Sequence, residues 1–553
     1  MSERIERCPA AALTVLSYGQ ELLWLLDRAS GASTAWNVSR AFRLRGALDG
    51  AALQAALDAL AARHDTLRSL FLATQDGPRQ QVLPPASVPI RRVDLGGLNR
   101  AEREAEAARL VAAAADMPFD LSRDVALRVM LVKLAADEHI LVIDSHHIVS
   151  DGWSKSILLT ELSALYGGHR NGTPVSLPPL PIAFSDYAAW ERSAEHQASL
   201  SAGLAYWRKA LDGLPPQLQL PIDRPRPVAP TYDAARSTSI LPPPLVDGVD
   251  KLARQHGATR YMALLTTFAI VLHRYGNQDD VVIGSPSAGR LHEETEQLIG
   301  FFANTLVLRV RFAGDPSFAE LLERVRETCL DAYGFADVPL EKLVLELAKE
   351  RELRTTPLFN VVMTMEDTLP AQLHFAGLEV TALESAATKT KFDLTLLIGE
   401  QPQGLRLTLL YRTDLFEPAT ADRVLAHLRT VLEAAVRNPE QPTRDLPLLT
   451  PAEEAQLAAW NDTAPEGATV FVPVHETIAR QARRVPAATA LVCAERRLTY
   501  RELRRASAAL QRRLRGAGIG SGAMVGLFLE RSIEAIVALL GILQTGAAYV
   551  PLM

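Results

Sequence analysis

Apolar residues in the first part of the chain follow two different periods. Leu53, Leu57 and Leu60 recur at helical spacing behind Asp49, an acid suited to capping the first turn. A charged, alanine-rich stretch at 100–115 predicts a second helix. LRVMLVKL (127–134) and ILVIDSHHI (140–148) are short apolar runs suited to strands, with AADEH between them as a hairpin turn. SDGWSKSILLTELSALYGG then returns to helical spacing through Ile157, Glu161, Leu162 and Leu165, and the pattern predicts that Gly167 and Gly168 end that helix.

A proline-rich crossover, LPPLPIAFSDY (177–187), separates this half from the next, and a second proline cluster at 214–227 predicts a loop. Beyond it the pattern alternates again. Helices are expected at 258–275, 317–333, 340–347 and 418–437, and strands at 280–284, 301–310, 359–365 and 405–411. Alternation in both halves predicts an α/β protein of two similar lobes, residues 1–176 and 177–446. A linker is expected at 447–470, and a new unit at 471–553 with a helix, a hairpin around ERRLTYREL and a further helix.

Length and composition add exclusions. At 553 residues the chain has room for about three structural units. Its net charge of −6, with arginines scattered among acids, argues against a nucleic-acid footprint. Cys8, Cys329 and Cys493 lie far apart without a CxxC pair, which argues against a disulfide framework or a zinc ribbon. The apolar stretches at 261–272 and 535–543 are too short to span a bilayer, and the N-terminus lacks the features of a signal peptide. The expectation is a cytoplasmic protein without membrane or nucleic-acid partners.

The candidate chemistry lies in His146-His147-Ile148-Val149-Ser150-Asp151-Gly152. Consecutive strand residues point to opposite faces, so the two histidines do not share one ligand, and no metal site is expected. One histidine can face a cavity while the other packs into the lobe. Asp151 stands where an N-cap acid belongs, and Gly152 allows a tight turn.

HHxxxDG is the signature of the chloramphenicol-acetyltransferase-like superfamily, and the other motifs narrow the resemblance. LSYGQELLWLL (16–26), RHDTLRSLF (63–71), YGNQDDVVIGSPSAGR (275–290), IGFFANTLVLR (299–309), ADVPLEKLV (336–344), RELRTTPLFNVVM (351–363), KFDLTL (391–396) and YRTDLF (411–416) follow one another in the order seen in condensation domains of nonribosomal peptide synthetases. The chain resembles that family over about residues 10–450. It departs from the pattern at Tyr18-Gly19, where Phe-Ala is more usual. It departs again in the sixth motif, Phe335-Ala336-Asp337-Val338-Pro339-Leu340, which lacks the usual amide or imidazole pair before the acid and the Phe after the proline. RLTYREL (497–503) and LQTGAAYVPL (543–552) resemble the first two adenylation motifs. The fold implied is two chloramphenicol-acetyltransferase-like lobes in a V-shaped pseudodimer with a central tunnel, plus a partial α/β adenylation segment without the phosphate loop.

The resemblance implies amide formation between a donor acyl thioester and the amino group of an aminoacyl-S-carrier protein. His147 is then the proton-transfer or positioning group, both roles staying open, and the Gly152 N–H is the oxyanion donor. Asp151 pairs with Arg290 across the lobes, His146 is structural, and Arg63 and Asn304 line the tunnel or support the site. No cofactor is expected to bind directly; a phosphopantetheine arm and acyl-CoA carry the substrates. The partners implied are a downstream peptidyl carrier protein, an acyl-CoA or acyl-carrier donor and the remainder of a synthetase. HHIVSDGWS resembles the L-donor and starter classes. The catalytic motifs begin close to Met1 and the first motif is atypical, which points to a starter domain with an aliphatic acyl pocket. An elongation domain with an L-peptidyl-carrier donor is the alternative. A stand-alone acyltransferase and a non-catalytic recruiting domain are the alternatives of other classes.

Overall fold

The computed structural model describes residues 4–8, 13–29, 34–215, 217–228, 231–347, 358–366, 373–383, 388–463 and 472–552. The first seven residues of RELRTTPLFNVVM and the end of the expected linker, 464–470, lie outside the described residues. The chain forms two compact units, Met1–Glu454 and Ala455–Met553.

The first unit is α/β and has two lobes. In the first lobe the described residues form a five-stranded sheet in the order Glu379–Leu383, Asn37–Arg45, Glu138–His146, Leu127–Ala135, Ile90–Asp94. The strand that ends in His146 is central. Its apolar run does not alternate with polar residues because both faces are covered. Leu141 and Ile143 pack with Leu57, Leu60, Leu162 and Tyr166 of the helices Gly50–Arg63 and Gly152–Asn171. Ile140 and Val142 face Ala107 and Leu110 of the helix Arg100–Ala115. Asp49 caps its helix as expected, accepting from the N–H groups of Ala51 and Ala52.

In the second lobe the described residues form a seven-stranded sheet in the order Asn304–Arg311, Asp280–Ser287, Val361–Met365, Leu394–Gln401, Gly404–Arg412, Asp233–Leu241, Thr388–Lys389. The helices Arg260–Gly276, Phe318–Gly334 and Pro418–Arg437 bury Phe268, Leu322 and Leu428 against it. One strand crosses between lobes. Glu379–Leu383 follows the second lobe's early strands in sequence but pairs antiparallel with Asn37–Arg45, and Leu373 and Phe375 join the first lobe's core.

Four local readings change. The helix after the histidines does not end at Gly167 and Gly168; it runs to Asn171, and Gly172 at φ 65° stops it. Gly168 is small for another reason, since a Cβ there would stand 2.2 Å from Val175 and 2.8 Å from the Thr173 carbonyl. The stretch expected as linker contains a helix, Pro451–Asn461. The strand expected from residue 301 begins at Asn304, which leaves Phe301 and Phe302 outside it. Asp233–Leu241 and Pro243–Gln255 form a strand and a helix beyond the proline cluster, where no element was expected.

The second unit contains the helices Val474–Arg484, Tyr500–Gly516 and Ile533–Leu543, a hairpin of Thr489–Cys493 with Arg496–Thr499, and a parallel pair of Met524–Leu527 with Ala548–Pro551. Thr499 and Glu502 form a capping box at the start of Tyr500–Gly516.

Candidate active site

His146 is the last residue of the central strand, and His147 opens the single turn His147–Val149. The switch from strand to turn separates the two rings. Their tautomers differ as well. His146 Nδ1 accepts from the Ile148 N–H at 3.1 Å, so its proton sits on Nε2. Among the described residues that Nε2 has no hydrogen-bond partner; Asp27 Oδ1 is 3.8 Å away. The His146 ring is fully buried, edge-on to Phe119, and burial pushes its pKa down to about 3, with the Lys391 charge adding. Burial also raises Asp27 to about 6. His146 is thus a neutral core histidine.

His147 is arranged the other way. Its Nδ1 lies 3.1 Å from the Ser150 carbonyl. A carbonyl only accepts, so Nδ1 carries the proton and Nε2 keeps its lone pair. The ring is half-buried, edge-on to Phe301 with centroids 6.2 Å apart. Burial, then the charges of Lys391 and Lys155, hold its pKa well below the usual histidine value. Lys391 comes from the second lobe, its ammonium 3.1 Å from the centroid of the Trp36 ring.

Asp151 is 3% exposed and caps the helix Gly152–Asn171. Oδ1 accepts from the Ser154 N–H at 2.7 Å, and Oδ2 accepts from the Phe302 N–H of the second lobe at 3.0 Å. Arg290 Nη2 reaches Asp151 Oδ1 only at 3.5 Å but donates to Ser154 Oγ at 2.8 Å. Its other amino group donates to the Thr295 carbonyl, and its guanidinium lies over the Phe302 ring. Ser154 Oγ donates to the Gly300 carbonyl at 2.7 Å and accepts the Gly300 N–H at 3.1 Å. The Asp151–Arg290 pair therefore works through Ser154 and the backbone at residues 300–302. Sequence reasoning passed over Ser154; its place three residues into a capped helix, in the turn that meets the second lobe, was the available signal.

Gly152 is the first residue of that helix, where an N–H has no intrahelical acceptor. Arg63 takes part in a different cluster. Its Nε reaches both Glu161 oxygens at 3.1 Å, and Glu161 Oε2 also meets His64 Nε2 at 2.8 Å, tying together the two helices behind the sheet. Asn304 donates to the Ala336 and Val338 carbonyls and accepts the Leu340 N–H, which pins the sixth-motif loop. Among the described residues no group of three His, Cys, Asp or Glu could hold a metal, and no helix is long and apolar enough to cross a membrane.

Beside this centre lies a small cleft of about 50 Å³, lined by Gly19, Tyr187, Glu191, His292, Phe301 and Glu341 among others. Asn304 and Asp337 line it too. Phe301 is the wall it shares with His147.

Residues 11–458 match the family described as Condensation domain. The chain belongs to the condensation-domain family. Residues 478–553 match the AMP-binding enzyme family. Membership places the condensation domain among the acyltransferases that form amide bonds in nonribosomal peptide synthesis. Similar proteins include a linear gramicidin synthase of Brevibacillus parabrevis, 42% identical over 97% of this chain and 11% of that protein. Phosphinothricin tripeptide synthetase PhsC of Streptomyces viridochromogenes is 38% identical over 97% of this chain and 50% of that protein. The chain thus spans half or less of these relatives. Among solved structures, the X-domain from teicoplanin biosynthesis is 29% identical with a TM-score of 0.73, covering 81% of this chain and all of that one. The starter condensation domain of rhizomide synthetase, at 21% identity and TM-score 0.66 over 79% of this chain and 98% of that one, shares the fold.

Proposed function

We propose that the condensation domain joins the carbonyl carbon of a donor thioester to the amino nitrogen of an aminoacyl thioester held on the phosphopantetheine arm of a carrier protein. The observation that carries this reading is the His147 tautomer. Nδ1–H is committed to the Ser150 carbonyl, and the neutral ring leaves Nε2 free to accept a proton. The acceptor amine attacks the donor carbonyl, His147 Nε2 holds or takes its proton, and the Gly152 N–H faces the developing oxyanion at the helix start. Collapse breaks the C–S bond, and the proton passes to the departing thiolate. Asp151, Ser154 and Arg290 keep the two lobes, and with them the histidine turn, in register. Arg63, Asn304 and His146 support the fold around the site.

The sequence raised a starter domain fed by acyl-CoA. The relatives favour a donor handed over on a carrier protein: synthetases much longer than this chain match it over 97% of its length. We take the peptidyl-carrier donor as the reading and keep the acyl-CoA donor as its rival. The test offers a peptidyl carrier and a series of acyl-CoA thioesters to the protein with an aminoacyl carrier. Amide product from the peptidyl carrier supports the reading. Turnover of acyl-CoA that rises with chain length, with none from the peptidyl carrier, overturns it in favour of a starter domain.

A further inference from the structure

The cleft that ends on Phe301 has an uneven charge. Among its described lining residues, Glu191, Asp337 and Glu341 are acids, and none is a lysine or arginine. The neighbouring cations have other partners: Arg192 meets Glu21 and the Leu16 carbonyl, and Lys342 meets Gln197. The two imidazoles in the wall bring no balancing charge, since burial lowers His196 to about 4 and lowers His292 as well. Glu191 is bonded to the Tyr18 N–H and the Tyr187 hydroxyl. No other side chain among the described residues bonds the Glu341 carboxylate, and burial, with Glu191 adding, pushes its pKa up to about 7.

A second observation concerns shape. A Cβ at Gly19 would stand 2.7 Å from two atoms of the Phe301 ring and 3.9 Å from Glu341 Oε1. Glycine at this position is therefore what lets the Phe301 ring lie against the helix Tyr18–Ala29 and leaves space beside the carboxylate. The same ring stands edge-on to His147. Tyr18-Gly19 and the loop from Ala336 to Leu340 are the places where the sequence departs from the family pattern. They meet in this cleft, although more than 300 residues separate them.

We propose that the cleft seats the side chain of the acceptor aminoacyl group and selects a positively charged one, with Gly19, Phe301 and Glu341 setting the specificity. The inference rests on the amide-forming reading for the word acceptor, but its test reads binding. An acceptor with its amine at His147 has Phe301 as its neighbour, so its side chain lies one ring away from Glu341. An ammonium or guanidinium there pairs with a carboxylate that no side chain among the described residues hydrogen-bonds and that feels Arg192, itself bonded to Glu21, only through space, in surroundings where such a pair is strengthened by low polarity. A carboxylate side chain meets three acids instead, and an aliphatic one gains no charge partner.

The experiment uses the whole chain and stable amide analogues of lysyl-, leucyl- and glutamyl-pantetheine, with affinity measured by calorimetry. The lysyl analogue is expected to bind at least about ten-fold more tightly than the leucyl one, the glutamyl analogue most weakly. Glu341→Gln should abolish the lysyl preference, bringing lysyl affinity down to the level of leucyl measured in the same variant, whereas Glu341→Asp, which keeps the charge, should retain part of it. Gly19→Ala should weaken all three. Equal affinity for lysyl and leucyl analogues, a preference that survives Glu341→Gln, or no binding up to millimolar concentration overturns the proposal. Amide formation is read separately by mass spectrometry. Selective binding without amide product would sink the proposed function and leave the selectivity of the cleft standing.

Discussion

Replacing Asp151 by asparagine removes one charge and turns one oxygen into a donor, and the structure sets the consequence. The carboxylate is 3% exposed and accepts two backbone N–H bonds, Ser154 on one oxygen and Phe302 on the other. An amide can satisfy only one of them. Its NH₂ must face an N–H, either at the helix cap or at the second lobe. Leaving such a buried donor unsatisfied costs about 1–3 kcal/mol. Arg290 also loses its countercharge, and breaking a buried ion pair costs about 3–5 kcal/mol. Here the pair is long, at 3.5 Å, and Arg290 keeps Ser154 Oγ and the Thr295 carbonyl, so the lower end applies. We expect a total destabilisation of about 4–6 kcal/mol. Urea unfolding followed by tryptophan fluorescence measures it. Five of the six tryptophans, including Trp153 beside the site, belong to the first unit. In a double-mutant cycle with Arg290→Gln the coupling should exceed about 1 kcal/mol. A Ser154→Ala background should reduce it, because the hydroxyl links the two groups. Additive losses within about 0.3 kcal/mol would refute the linkage.

Other outcomes follow from the same geometry. His147→Ala should lower amide formation on the order of 10²–10⁴-fold without unfolding the protein, as judged by circular dichroism. The base form of His147 is the active one and its pKa is held low, so beyond the titration of the acceptor amine, which must be neutral to attack, kcat/KM should show no second acid limb near 6.5; a second limb near 6.5 that vanishes in His147→Ala would refute the lowered pKa. Arg63→Ala should cost at most about 3 kcal/mol of stability, since Glu161 loses its cation but keeps His64, with activity per folded molecule unchanged, and a selective loss of turnover would return Arg63 to the site. Gly289→Ala should prevent stable folding, because φ is 64° and a Cβ would stand 1.8 Å from the Phe302 carbonyl; Gly97→Ala, with nothing within 4 Å, is the control and should stay within about 0.5 kcal/mol of the parent protein in the same unfolding assay.

The histidine turn was legible in the sequence because its determinants are local. An apolar run sets the strand, Asp151 caps the next helix, and seven consecutive residues carry the chemistry. The helix Pro418–Arg437 was equally plain, since Pro418 opens it and its apolar face repeats for five turns. Asp233–Leu241 was not, because DAARSTSIL has few apolar residues and becomes a strand only by pairing with Gly404–Arg412. The crossing strand Glu379–Leu383 has one neighbour among the described residues, in the other lobe, which no local pattern announces. The cleft is harder still. Gly19, Glu191, His292, Phe301 and Glu341 come from separate segments, and only the folded chain brings them to one wall.

That crossing strand also bears on how the protein is made. The edge of the first lobe's sheet, Asn37–Arg45, leaves the ribosome before the strand that covers it, which is synthesised roughly 340 residues later. At about 5–20 residues per second the edge waits roughly 17–70 s for its partner. An unpaired edge on a nascent chain is an invitation to pair with a neighbour on the same polysome. Arg40, Arg43 and Arg45 lie along it, and their charge discourages a second such edge from docking. In the finished protein Arg43 and Arg45 are drawn onto Glu138 and Arg43 also onto Glu104, so residues that guard the growing chain become struts of the completed sheet.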